Sequence, residues 1–236
     1  MAKILLIETS TAKTSVALSL GGSVVFYVDD DSTRNQSSLT APFIKQALDS
    51  QGLKAKDLDA VCVSMGPGSY TGLRVGVSSA KGLCFGAGIP LIGVGTLDCL
   101  VWEVLSEDSQ PANEYKYIVP VLDARRMEVY TALFGGNGNK ISEVSSQIID
   151  SHSFDTLLAD AASDGQRVLF VGDAAEKCST VITASNARFL QRNPSAKGLQ
   201  TPAIAAYQAG EFRDVAYFEP FYLKDFVATV SRKKLF

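Results

Sequence analysis

Residues 63–83 read VSMGPGSYTGLRVGVSSAKGL, with Gly66, Gly68 and Gly72 inside seven residues and Ser69 and Thr71 beside them. Such a loop, set between a strand and a helix, aims backbone N–H groups at one point and can cradle a phosphate. The spacing fits neither established phosphate motif. GxxxxGK[ST] is absent, and GxGxxG fails because Thr71 stands where the third glycine belongs and Gly72 comes one place late. Two readings stay open on these residues alone: contact with phosphate, or a tight strand-to-helix turn. The helix that follows is also rich in glycine. Gly72, Gly76 and Ala80 recur at i, i+4 and i+8, flanked by Leu73, Val77 and Cys84. An interior glycine costs about 0.5–1 kcal/mol relative to alanine, and a smooth stripe offsets this by letting another backbone come close. That backbone belongs either to the chain's own core or to another subunit.

Other reactive side chains are few. The single histidine, His152, sits in IIDSHSFD where a strand meets a helix, as a turn or cap residue. No HxxxH or HExxH occurs, which leaves no histidine-built metal site. Four cysteines, at 62, 84, 99 and 178, show no CxxC spacing and read as buried thiols of a reducing compartment. The net charge is −3 over 236 residues. A chain that binds RNA unaided should show a basic face, and here only Arg232-Lys233-Lys234 stands out. No leader segment is legible, and nothing approaches the roughly 20 apolar residues of a membrane span.

The elements that place these residues follow from periodicity. Residues 4–7, ILLI, read as a buried strand that ends at Glu8-Thr9-Ser10-Thr11. Strands 14–20 and 23–28 are joined at Gly21-Gly22, a hairpin signal. Leu39, Phe43, Ile44, Ala47 and Leu48 mark one face of a helix with Ser38 as its cap and Pro42 at the end of its first turn. Strand 60–64, the glycine loop and a helix to about residue 85 come next, followed by strand 90–94 and helix 97–105. Residues 106–114 are polar and form the best linker. Beyond it the order restarts with strand 117–122, the turn Asp123-Ala124-Arg125-Arg126 and strand 128–134. LLIETSTAKTSVAL and PVLDARRMEVYTAL each end a strand in an acid, with Ala-Leu nine residues later. VSMG and LFVG each end a strand at a glycine, Gly66 and Gly172. This weak internal repeat predicts an α/β chain of two related lobes with mixed sheets, 1–108 and 115–236, the second reduced and its last residues packing back on the first. The pattern resembles the actin-like (ASKHA, ribonuclease H-like) superfamily, in which two such lobes flank a nucleotide cleft.

A closer resemblance rests on longer stretches. ILLIETSTAKTSVAL, VSMGPGSYTGLRVGVSSAKGLCFGAGIPLIGVGTLDCL, VPVLDARRMEVYTALF, VGDAAEKC and YFEPFYLKDFVA run in order over nearly the whole chain. They resemble the bacterial TsaB (YeaZ) family, once labelled glycoprotease-like. The resemblance implies a cytoplasmic, non-catalytic scaffold in tRNA modification. The complex installs threonylcarbamoyl on the adenosine next to the anticodon of tRNAs reading codons that start with A. The implied partners are the catalytic paralogue TsaD, in a heterodimer, and the ATPase TsaE. A homodimer forms in isolation, tRNA is met only through the complex, and there is no membrane. It also implies no cofactor, with nucleotide confined to the surface shared with partners.

The catalytic paralogue carries HxxxH on the helix that here reads SSLTAPFIKQAL, and residues 34–37 lack the histidine that relatives often keep. Glu8 replaces the family's aspartate. The partner interface expected from the resemblance is Leu39, Phe43, Ala47, Gly72, Leu73, Gly76, Val77 and Ala80. The expected vestigial phosphate loops are Glu8, Thr9, Ser10, Thr11, Gly66, Gly68, Ser69 and Thr71. The alternatives are an ATP-dependent phosphotransferase or ATPase of the actin-like superfamily, which the absence of glycines in Asp123-Ala124-Arg125-Arg126 disfavours, and a metallopeptidase, which lacks ligands.

Overall fold

A computed structural model describes residues 2–31, 36–107 and 114–224. Lys3–Glu8 (β1), Thr14–Leu20 (β2), Ser23–Asp30 (β3), Ala60–Ser64 (β4) and Leu91–Val94 (β5) form one sheet in the order β3-β2-β1-β4-β5. The β1–β2 and β2–β3 pairs are antiparallel, and β1–β4 and β4–β5 parallel. The second sheet uses Tyr115–Asp123 (β6), Glu128–Thr131 (β7), Phe134–Gly135 (β8), Ser145–Ile148 (β9), Arg167–Gly172 (β10) and Ala187–Gln191 (β11). Its order β9-β7-β6-β10-β11 repeats the first, with β8 added beside β6. The antiparallel and parallel pairs also repeat. Glu8 and Asp123 are thus the equivalent last residues of the two central strands, as the internal repeat anticipates.

The helices are Gln36–Asp49 (α1), Tyr70–Ala87 (α2), Thr96–Leu105 (α3), Asp155–Ser163 (α4), Ala175–Ser179 (α5) and Gln200–Ala209 (α6). Reduction of the second lobe falls on its helices, since its sheet is complete. α1 begins before Ser38, so Pro42 lies inside it rather than at its first turn. Of the expected linker, residues 108–113 lie outside the described residues, as do Arg34, Asn35 and Arg232-Lys233-Lys234.

ILLI is apolar throughout because both faces of β1 are covered. Leu5 and Ile7 pack with Phe43, Ile44 and Ala47 of α1 and Val77, Ala80 and Cys84 of α2. Ile4 and Leu6 pack on the opposite face with Cys99 of α3 and with Ala196, Leu199 and Ala203. The chain after β11 therefore returns to the first lobe well before its last residues. α3 is shared: its Leu97, Leu100, Val101 and Val104 join Ile118, Leu122, Leu169 and Val171 of the second sheet.

This packing corrects the expected interface. Phe43, Ala47, Leu73, Val77 and Ala80 are buried in the chain's own core, Gly72 and Gly76 face inward too, and Leu39 is half-buried against the same cluster. Helical spacing shows which residues share a face but not which neighbour covers it.

Candidate functional site

The neighbour that needs the glycine stripe is the β1–β2 turn. A Cβ on Gly72 would stand 2.0 Å from the Thr9 carbonyl oxygen, and one on Gly76 would stand 2.3 Å from Thr9 Oγ1. A Cβ on Gly68 would stand 2.3 Å from the Ser10 carbonyl oxygen. Polar contacts complete the fit. Thr9 Oγ1 donates to the Gly72 carbonyl at 2.7 Å, and Ser69 N donates to the Ser10 carbonyl at 2.6 Å. Ser69 caps α2, its Oγ accepting from Gly72 N at 3.3 Å. The structure thus packs Thr9 and Ser10 on Gly68, Ser69, Gly72 and Gly76, with Glu8 bonded to Ser10 N, while Gly66 lies against Leu73 and Phe221 and the Thr11 carbonyl accepts from Gln36. Glu8, Thr9 and Ser10 are fully buried, while Ser69 and Thr71 stay on the surface.

Among the described residues no cation pairs with Glu8. Its Oε1 accepts from Ser10 N at 2.5 Å, and Oε2 has no partner. Ser10 Oγ, Ser64 Oγ and Thr96 Oγ1 are likewise buried without partners. Burial pushes the Glu8 carboxyl above the ordinary carboxylate value.

A strap from Arg213 onward covers the glycine loop from outside. Arg213 N donates to the Leu91 carbonyl at 2.8 Å, and Lys81 Nζ donates to the carbonyls of Ala216 and Phe218 at 3.1 and 2.8 Å. Phe221 N donates to the Met65 carbonyl at 2.6 Å, with its own carbonyl oxygen against Gly66. Tyr222 stacks on Tyr70 with ring centroids 4.7 Å apart. Lys224 then reaches Glu128 in the second lobe.

Between the lobes lies a cleft of about 640 Å³ lined by Lys13, Asp29, Glu103, Arg192, Ser195 and Lys197 among others. Its charges are largely matched: Lys13 with Asp29 at 2.9 Å, Arg192 with Glu107 at 2.5 Å, and Glu103 with Ser195 N and Oγ at 2.9 and 2.8 Å. A smaller cavity, about 340 Å³, adjoins the β6–β7 turn and is lined by Asp123, Arg126, Asp173, Glu176, Lys177 and Gln191. Sequence reading singled out neither Asp173 nor Lys177, although their spacing of four in GDAAEK was a usable signal. Asp173 Oδ1 accepts from Asp123 N at 2.8 Å. Burial nevertheless raises its carboxyl to about 6, with Asp123 adding to the rise.

A raised folded value means the folded chain holds a proton that the unfolded chain has lost. Asp173 should therefore lower stability as pH rises from about 4 through 6, by about 2 kcal/mol after allowance for partial exposure. Urea unfolding at pH 4–7 should show Asp173→Asn removing this decline; an unchanged decline would place it elsewhere. His152 sits at a turn as expected, exposed, with Nδ1 3.2 Å from Asp155 Oδ2. Among the described residues no group of three His, Cys, Asp or Glu is placed to hold a metal ion. No helix there is long and apolar enough to cross a membrane.

Two lobes that repeat one strand order around a cleft, each with an acid ending its central strand, define an actin-like architecture. The activator of 2-hydroxyisocaproyl-CoA dehydratase from Clostridium difficile shares that fold at TM-score 0.50 and 10% identity, over 89% of this chain and 96% of its own. YeaZ from Pseudomonas aeruginosa superposes at TM-score 0.78 and 23% identity, over 94% of this chain and all of its own. The tRNA threonylcarbamoyladenosine biosynthesis protein TsaB of Escherichia coli (strain K12) is 33% identical over 139 residues, 59% of this chain and 58% of that protein. The matched stretch thus spans under two thirds of that relative's length. The family model described as TsaD, tRNA N6-adenosine threonylcarbamoyltransferase, matches residues 28–231. The chain belongs to that family.

Proposed function

We propose that this chain is the non-catalytic scaffold subunit of the complex that installs threonylcarbamoyl on the adenosine next to the anticodon of tRNAs reading codons that start with A. Its partners are the catalytic paralogue TsaD and the ATPase TsaE, in the cytoplasm, and it self-pairs when alone. The observation that carries this reading is the closed first-lobe turn. Gly68, Gly72 and Gly76 let the glycine loop and its helix lie directly against Ser10 and Thr9, so this turn is packed on protein. Nucleotide then needs a surface shared with a partner.

The partner surface moves to the outer side of the same helices. Ala41, Pro42 and Lys45 of α1 are exposed, and so are Arg74, Ser78, Gly82 and Phe85 of α2. Phe85 is 86% exposed, and a Cβ on Gly82 meets nothing within 4 Å. Small outward residues let a facing helix pair approach closely, and related lobes pair with near-two-fold symmetry. Gly82→Arg places a charge there without touching the core, so circular dichroism should show a folded protein. Burying that charge unpaired is costly, so pairing with TsaD and self-association should both weaken at least tenfold. Wild-type pairing would sink this interface. Steady ATP hydrolysis by the purified chain alone would instead favour an ATPase of the actin-like superfamily.

A further inference from the structure

The β6–β7 turn has an uncommon backbone. Arg125 and Arg126 have φ of 71° and 52°, the left-handed region that glycine and asparagine fill most readily. Two successive arginines there are held from several sides. Arg125 N donates to Asp123 Oδ1 at 3.1 Å, and Glu128 N donates to the Arg125 carbonyl at 3.2 Å. Lys177 Nζ donates to the carbonyls of Arg126 and Glu128 at 2.9 and 2.7 Å and pairs with Asp123. The side chains are free by contrast. Both residues are exposed, and among the described residues neither guanidinium has a hydrogen-bond or ion-pair partner. A braced, unfavourable turn that displays two free guanidinium groups fits a role for the groups themselves.

The surroundings extend the same chemistry across the lobes. Lys224 matches Glu128 and lies 5.6 Å from the Tyr130 ring centroid. Two residues before it, Tyr222 stacks on Tyr70 and its hydroxyl accepts from Arg74 Nε at 3.3 Å. Asp123 and Glu128 are thus neutralised by Lys177 and Lys224, and among the described residues Arg74, Arg125 and Arg126 have no carboxylate partners. Asp173 and Glu176 border the cavity beside Arg126. Arg74 lies over the Tyr70 ring, 4.1 Å from its centroid, and guanidinium forks match phosphate oxygens.

We propose that Arg125 and Arg126 contact backbone phosphates of a folded RNA, with Arg74, held at the Tyr70–Tyr222 pair, continuing that contact across the strap. This rests on the reading that the chain works in a tRNA-modifying complex, and it gives the chain a direct RNA contact that the sequence did not suggest.

The test mixes the chain with its catalytic paralogue and titrates a fluorescein-labelled anticodon stem-loop RNA, read by anisotropy between about 50 and 200 mM salt. The chain alone is titrated in parallel. Arg125→Asn with Arg126→Gly places residues that tolerate a left-handed backbone at both positions. This variant should melt at or above the wild-type temperature and pair with the paralogue as before. It should bind the RNA about tenfold more weakly, with a salt slope shallower by about 1–2.

RNA affinity and slope equal to wild type would overturn the proposal, as would a lower melting temperature, which would show the turn is not strained. Inorganic triphosphate that competes as well as the stem-loop at equal phosphate concentration would also overturn it, in favour of a small-anion site. Failure of wild-type chain and paralogue to pair would remove the scaffold reading instead. The RNA affinities of the two forms alone would then still decide the role of the arginines.

Discussion

Replacing Gly72 with alanine is expected to lower the melting temperature by about 6–12 °C. The new Cβ would stand 2.0 Å from the Thr9 carbonyl oxygen, and neither partner is a flexible side chain that can swing away. The β1–β2 turn that carries Thr9 is itself pinned, through Ser69 N to the Ser10 carbonyl and Thr9 Oγ1 to the Gly72 carbonyl. Overpacking of this kind costs about 3 kcal/mol, and in a protein of this size each kcal/mol moves the melting temperature by about 2–4 °C. The same helix supplies its own control. Gly82→Ala enters open space and should gain about 0.5–1 kcal/mol, because the unfolded chain loses freedom. Thermal melts followed by circular dichroism compare the two. If Gly72→Ala melts like wild type, close approach of the turn is not what the stripe provides.

Glu8→Gln should stabilise the chain at pH 7–8, because it removes a buried carboxyl whose charged form is disfavoured. The wild-type carboxyl is buried, and among the described residues it has no paired cation and one oxygen without a partner. Its folded value lies above the ordinary 4.5. The folded state therefore keeps a proton that the unfolded state releases above about 4.5, and stability falls as pH rises through that window. Glutamine carries no such proton, and its amide can donate to Ser10 or Ser64. The advantage of the variant should shrink as pH is lowered toward 4. An advantage that is the same at pH 4 and pH 8 would show that ionisation of Glu8 is not the cause.

Much of this architecture was legible because β-structure announces itself locally. ILLI, the Gly21-Gly22 hairpin and the acids at 8 and 123 located the central strands and their repetition. The direction of the glycine stripe was not legible. Gly72, Gly76 and Ala80 look the same whether they face a partner or Thr9, and the partner for close approach lies more than 60 residues away in sequence. The start of α1 was also misplaced, because Pro42 suggested a first turn while the helix had begun at Gln36. Asp123-Ala124-Arg125-Arg126 read correctly as a turn, yet its left-handed backbone was hidden, because no glycine or asparagine marks it. A return of the chain's end to the first lobe was expected, but the path of the strap after Arg213 was not legible. Its anchors are mostly main-chain hydrogen bonds, which leave no trace in side-chain pattern.

The return of the chain after β11 also has a consequence in time. On the ribosome the first lobe emerges first, and nascent domains generally fold as units in that order. Here Ile4, Leu6, Ala17, Cys62 and Ile92 stay uncovered until Ala196, Leu199 and Ala203 arrive to close over them. The whole second lobe is translated in between. The amino-terminal lobe therefore cannot reach its final state until residues 196–203 have emerged, and its half-finished apolar face is what a ribosome-bound chaperone would meet before then.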